Sequence, residues 1–314
     1  MDKFVILADV ACDICEEIRN FCGMEDYASG HVQISDGRDL QTRLDWTNIT
    51  REDFYKTLSN KKNHVTTAPP SQEVLYLKYK EYVEKGFKIL GMSISSKISS
   101  TYNSSCIAAK RIKEEYPESE IYCCDTYRMS GAFGMLVMYA HLLKKEGKSF
   151  EEIIQWVEEN KFKVHQMGPI DDLIFVARRG NITMGKAIMG NFAGVKPMGD
   201  CSADGYVSVL AKVKGINKTF DITVKYLEKM AVDIENQYII ISHSDREAYA
   251  ETLKNRIAEK FNPKGIFITD VFPACGANIG AGMVSVYFLG NNVSEDQSLE
   301  KEAINEIIAN LAKK

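Results

Sequence analysis

Three stretches concentrate side chains able to bind or react. The first, Thr-Thr-Ala-Pro-Pro-Ser (Thr66 to Ser71), offers two hydroxyls, two prolines that fix the backbone, and a serine suited to cap a following helix. The second, Ser-Ser-Lys-Ile-Ser-Ser-Thr-Tyr-Asn-Ser-Ser (Ser95 to Ser105), carries seven Ser and Thr hydroxyls in eleven positions. It falls between an apolar strand and a helix, where exposed N–H groups and loop hydroxyls all donate to an anion. Capping needs only one of them, so the cluster points to a ligand. The third, Cys-Gly-Ala-Asn-Ile-Gly-Ala-Gly-Met (Cys275 to Met283), places Gly276, Gly280 and Gly282 between two expected strands. A dinucleotide fingerprint needs a helix after its glycines, so that reading fails. The glycines fit either a tight connection or a place where something approaches the backbone closely.

Other candidates carry less. Cys12 and Cys15 stand two residues apart before an expected helix, a setting that favours thiolates. No second cysteine pair completes a zinc site, and the stretch reads better as a turn fixed by Asp9 and Asp13. His31, His64, His141, His165 and His243 are scattered without metal-ligand spacing, and Ser244 is the expected cap of the helix after His243. Asp9, Asp13 and Asp125 end strands, where carboxylates bind loop backbone more often than they move protons. No Ser-His-Asp order, Gly-x-Ser-x-Gly elbow or Walker loop is present, so the residues point to binding rather than turnover.

The elements that must position these loops alternate through the first half. Apolar runs at KFVILAD, FKILGMSIS and EIYCCDT read as strands, and CEEIRNFC, VLYLKYKEYVEKG, YNSSCIAAKRIKEEY and GAFGMLVMYAHLLKKEG as helices. That alternation predicts an α/β domain on a mainly parallel sheet over residues 1–165. The rest has strands joined by short turns such as Ser-Ala-Asp-Gly, which predicts an α+β domain with a mixed sheet over 166–314.

Composition narrows the classes. The chain of 314 residues is 45% hydrophobic and 26% charged with net charge −4, the profile of an ordered globular protein with no global attraction for nucleic acid or anionic lipid. No run approaches the roughly 20 apolar residues of a membrane span, and the first apolar run, broken at Asp9, is too short for a secretory signal. A cytoplasmic protein without metal or cofactor is expected, with eight cysteines in a reducing compartment.

In series, the loops resemble the DegV family of bacterial fatty-acid-binding proteins. ADVACDI resembles the opening Asp-Ser-Thr-x-Asp-Leu, TAPPS the Thr-Ser-Gln-Pro-Ser motif, SSKISSTY the Ser-Ser-x-Leu-Ser-Gly-Thr-Tyr motif, and DTYRMSGAFG an Asp-Ser with a downstream glycine pair. DLIFVARRGNI, VKPM, KVKG and GANIGAG are similar to later motifs in the same order. The resemblance implies two domains, a buried acyl chain and a carboxylate held near their junction. It implies Thr67 and Ser99 as carboxylate ligands, with Ser96 the second choice for the serine. It implies no catalysis and no cofactor beyond a bound fatty acid such as palmitate. Burying about 14 methylenes at roughly 0.8 kcal/mol each would contribute on the order of 11 kcal/mol before association costs.

The chain departs from the pattern at Asn278, where most members have His and where the amide is expected as a fourth ligand-binding group that donates to the carboxylate but carries no charge or proton, and at Ile279 and Ala281 beside it. Asn181 replaces an Arg, with Arg178 and Arg179 just upstream; Lys214 replaces another Arg, and Ser100 a Gly. Members of the family present their fatty acid to a fatty acid kinase, and the lost His and Arg resemble positions tied to that handover. Lipid binding with weakened presentation to a kinase is therefore expected. Two alternatives remain: an enzyme or sensor for another small carboxylated or phosphorylated ligand at the same site, and a dithiol redox protein using Cys12 and Cys15.

Overall fold

The computed structural model describes residues 3–60, 62–172, 175–176 and 194–313. The chain opens with β1 (Phe4–Asp9), a 3-10 turn (Val10–Cys12), α1 (Glu16–Cys22), β2 (Tyr27–Ala28), β3 (His31–Ile34) and β4 (Asp39–Gln41). It continues through α2 (Arg51–Ser59), β5 (Val65–Ala68), α3 (Gln72–Glu84), β6 (Lys88–Ser93), α4 (Thr101–Glu115) and β7 (Ile121–Asp125). After α5 (Ser130–Lys145) and α6 (Phe150–Asn160) come β8 (Val164–Met167), β9 (Val195–Cys201), β10 (Val207–Lys214) and α7 (Ile216–Met230). The last elements are β11 (Tyr238–His243), α8 (Glu247–Phe261), β12 (Gly265–Asp270), α9 (Pro273–Ile279), β13 (Val284–Leu289) and α10 (Ser298–Ala312).

The first half builds a parallel sheet in the order β2-β1-β6-β7, as its apolar runs predict. Both faces are covered, with α3 and α4 on one side and α5 and α6 on the other, which is why these strands read as continuous apolar segments. Beside it lies an antiparallel sheet, β4-β3-β5, that the polar segment around His31 did not announce. The second half has the expected mixed sheet, β12-β11-β13-β8, parallel only between β11 and β12, plus the antiparallel hairpin β9/β10.

One core cluster spans both halves, alongside a separate one behind the mixed sheet. Helix α5 is buried at every position from Ser130 to Met138 and packs on β1 of one sheet and on β8, β11 and β13 of the other. From Ala132 to Ala140 its sequence is apolar on all sides, the signature of a helix segment with no solvent face. A division between residues 165 and 166 would cut through β8, which pairs with β13.

Two local expectations are corrected. Residues 275–279 of the glycine stretch are not a connection between strands but part of the helix α9, begun by Pro273 and closed at Gly280, whose φ of +76° a β-carbon would oppose. Ser244 does not cap α8: Arg246 holds that position, and the Ser244 hydroxyl accepts from the Met283 N–H at 2.8 Å.

Candidate ligand-binding site

The loops that leave β1, β6 and β7 at their carboxyl ends open onto a cavity of about 390 Å³. This is where an open parallel sheet exposes helix starts. Asp9 joins two of these loops, accepting from the Ala11 N–H and the Ile94 N–H, both at 2.8 Å. Asp125 steadies the third, accepting from the N–H groups of Ser96 and Tyr127 at 3.1 Å each. These aspartates therefore do the backbone work expected of them.

The cavity wall is largely apolar, with Val10, Ile94, Ile98, Met129, Met198, Val209 and Met283 among its residues. Polar groups from three elements are part of this lining. Thr67 lies on β5, opposite Val32, with its side chain exposed. Asn278 lies on α9 and donates from Nδ2 to the Thr67 Oγ1 at 3.3 Å and to the Ala274 carbonyl at 3.2 Å. Ser99 precedes α4, and its Oγ shares a hydrogen bond with Thr101 Oγ1 at 2.8 Å and accepts from the Thr101 N–H at 3.3 Å.

Three of the four residues singled out in the sequence thus line one cavity: Thr67, Ser99 and Asn278. Ser96 does not join them; it is exposed outside the lining and contributes its N–H to Asp125. Asn181, with Arg178 and Arg179, lies outside the described residues. Lys214, which replaces the other Arg, ends β10.

Sequence reasoning passed over several lining residues. His31 on β3 is among them, with Nδ1 2.9 Å from Asp39. Ser130, Gln166, Ser285 and Tyr287 also face the cavity. Ser130 begins α5 at φ +50° and donates to Asp13 Oδ2 at 2.5 Å. Single Ser, Gln and Tyr residues in apolar elements carry no local signature, and only the strand alternation of β13 could have marked Ser285 and Tyr287.

Burial governs the electrostatics. It pushes the Asp9 carboxyl up to about 6 and the Asp13 carboxyl up to about 7, against hydrogen bonds that favour the charged forms. Cys275, at the cavity wall, is pushed well above the usual thiol range by the same cause, reinforced by Asp13. Burial also raises Cys12 and Cys15, opposite to what thiol chemistry needs. Among the described residues no group of three His, Cys, Asp or Glu could hold a metal ion, and no helix is long and apolar enough to cross a membrane.

A family model for uncharacterised proteins of the DegV family matches residues 3–291. The chain belongs to the DegV family. A DegV domain-containing protein of Clostridium perfringens is 35% identical over 294 residues, covering 93% of this chain and 99% of its own. Among solved structures, the fatty acid binding DegV family protein of Streptococcus agalactiae is 25% identical, with a TM-score of 0.76 over 93% of this chain and 100% of its own. A DegV family protein of Ruminococcus gnavus, solved with vaccenic acid, shares the fold at 20% identity, with a TM-score of 0.80 over 90% of this chain and 99% of its own.

Proposed function

We propose that this DegV protein binds a long-chain fatty acid, its carboxylate at Thr67 and Ser99 and its acyl chain in the cavity, and that it acts as a carrier without catalysis of its own. The observation that supports the proposal is a largely apolar cavity of about 390 Å³ lined by Thr67 and Asn278, which are hydrogen-bonded to each other, and by the Ser99 hydroxyl at the start of α4. The size lies within the range of small-molecule pockets. Neutral hydroxyls suit the task because a hydrogen bond to a carboxylate is about twice as strong as one between neutral groups.

Asn278 has a positioning role in this reading. Its two amide hydrogens go to Thr67 Oγ1 and the Ala274 carbonyl, so Thr67 accepts from Asn278 and turns its own hydrogen toward the ligand. An amide so engaged has no titratable proton to offer a second protein. We read presentation to a fatty acid kinase as weakened for that reason, an outcome that acyl-phosphate yield with a cognate kinase would measure; full yield would contradict it. The eight free thiols support a reducing compartment such as the cytoplasm.

Calorimetric titration of delipidated protein with palmitate tests the site. Thr67→Val keeps the shape and removes the donor, and should weaken binding about tenfold, the loss of one hydrogen bond to a charged group. Unchanged affinity in that variant would remove Thr67 from the site.

A further inference from the structure

We infer that the acyl chain this protein is built for carries an oxygen function, a hydroxyl or oxo group along its length. The inference rests on the carrier reading above and names its ligand more closely. It comes from a row of polar side chains in a wall that a plain alkyl chain would need to be apolar.

Along β13, Val284, Val286 and Phe288 pack into the core behind the mixed sheet, whereas Ser285 and Tyr287 alternate onto the cavity face. Directly across the ladder from Tyr287 is Gln166 of β8, which also lines the cavity. Ser130, at the start of α5, adds a fourth polar residue. These residues are 3%, 1%, 8% and 2% exposed in the order Ser285, Tyr287, Gln166, Ser130, so protein surrounds them on every side but that of the cavity.

Their hydrogen-bonding capacity is not used up within the protein. Among the described residues, the Ser285 hydroxyl and the Gln166 amide nitrogen make no hydrogen bond, and the Gln166 amide oxygen meets only the Cys201 thiol at 3.8 Å. The Tyr287 hydroxyl is within hydrogen-bonding reach of those of Ser130 and Ser242, so its pairing is partly met inside the protein. Ser130 in turn donates to Asp13, which leaves its oxygen as an acceptor. The row therefore offers the Gln166 amide as a donor, the Ser285 hydroxyl as donor or acceptor, and the Ser130 oxygen as an acceptor.

An alkyl chain drawn along this wall would strip water from those groups and give nothing in exchange, an unfavourable arrangement for buried polar atoms. A chain hydroxyl or carbonyl restores the missing partner. The carboxylate ligands of the carrier reading come from different elements, β5 and the start of α4, so the row on β8 and β13 is left for the chain.

The test is a binding comparison on delipidated wild-type protein: stearate against a set of hydroxystearates differing in hydroxyl position, and against an oxo-stearate. At least one oxygenated acid should bind about tenfold or more tightly than stearate, because a site built for a hydroxyl disfavours the analogue lacking it. In a Ser285→Ala, Tyr287→Phe double variant that preference should fall to within about twofold while stearate still binds. Stearate binding as tightly as every oxygenated acid would overturn the inference and leave the carrier reading intact. Failure to bind any of the acids would overturn both. A preference that survives in the double variant would overturn the assignment to this row.

Discussion

Asn278 and Thr67 lie 211 positions apart in the chain, and their hydrogen bond is what makes each informative. The two hydroxyl-rich loops stand out in the sequence because their signal is local, whereas the choice of Thr67 and Ser99 within them rests on the family resemblance. The sequence offers nothing for Ser130, whose weight comes from Asp13 behind it and Tyr287 beside it. The Asp13 carboxyl also makes a measurable contribution of its own. Its folded-state value of about 7 lies above the unfolded 3.8, so between those values the folded protein holds a proton that the unfolded chain has released. Stability from this group is therefore full below about pH 4 and is lost as pH rises toward 7, by a few kcal/mol in all, because each tenfold difference in proton affinity is worth about 1.4 kcal/mol. In Asp13→Asn the amide can still accept from Phe272 N–H and donate to Ser130. Thermal unfolding of the two proteins at pH 5 and pH 8 should show wild type losing several degrees more than the variant across that interval. Equal losses would mean that Asp13 titrates normally.

At the level of elements, the strands of the two main sheets and several of the long helices were legible because periodicity reports burial directly. Helix α9 was not, since seven residues containing glycine have little helical propensity of their own. Packing supplies what propensity lacks: a β-carbon on Gly276 would come within 2.8 Å of the Phe54 ring and 3.0 Å of the Tyr55 hydroxyl, both on α2. The sequence did suggest a close approach at these glycines, but the neighbour at Gly276 is α2 itself. A second close approach holds α5 against the turn after β1, where a β-carbon on Gly134 would sit 2.3 Å from the Cys12 carbonyl oxygen. Alanine gains up to about 1 kcal/mol of helix propensity over glycine, but overpacking against backbone costs about 1 to 3 kcal/mol. Gly134→Ala should therefore lower the urea midpoint with an unchanged slope. An equal or higher midpoint would show that α5 and the turn can separate freely.

For the whole molecule, fold class was readable and the joining of the halves was not. Alternating strands and helices predict a parallel sheet followed by a mixed one, and both are present. No local pattern says that α5 serves both sheets, or that α9 returns from the far end of the chain to pack on β3 and β5. Those two long-range placements close the cavity, bringing Asn278 to Thr67 and Ser130 to Tyr287. The cavity is thus a property of the assembled chain, and a ligand within it would be surrounded by protein from both halves. The most direct test is to purify the protein under native conditions, extract it with organic solvent and identify bound lipid by mass spectrometry. The account predicts about one long-chain fatty acid per protein chain. Protein that is empty on extraction, and that takes up no added fatty acid of any kind, would contradict it.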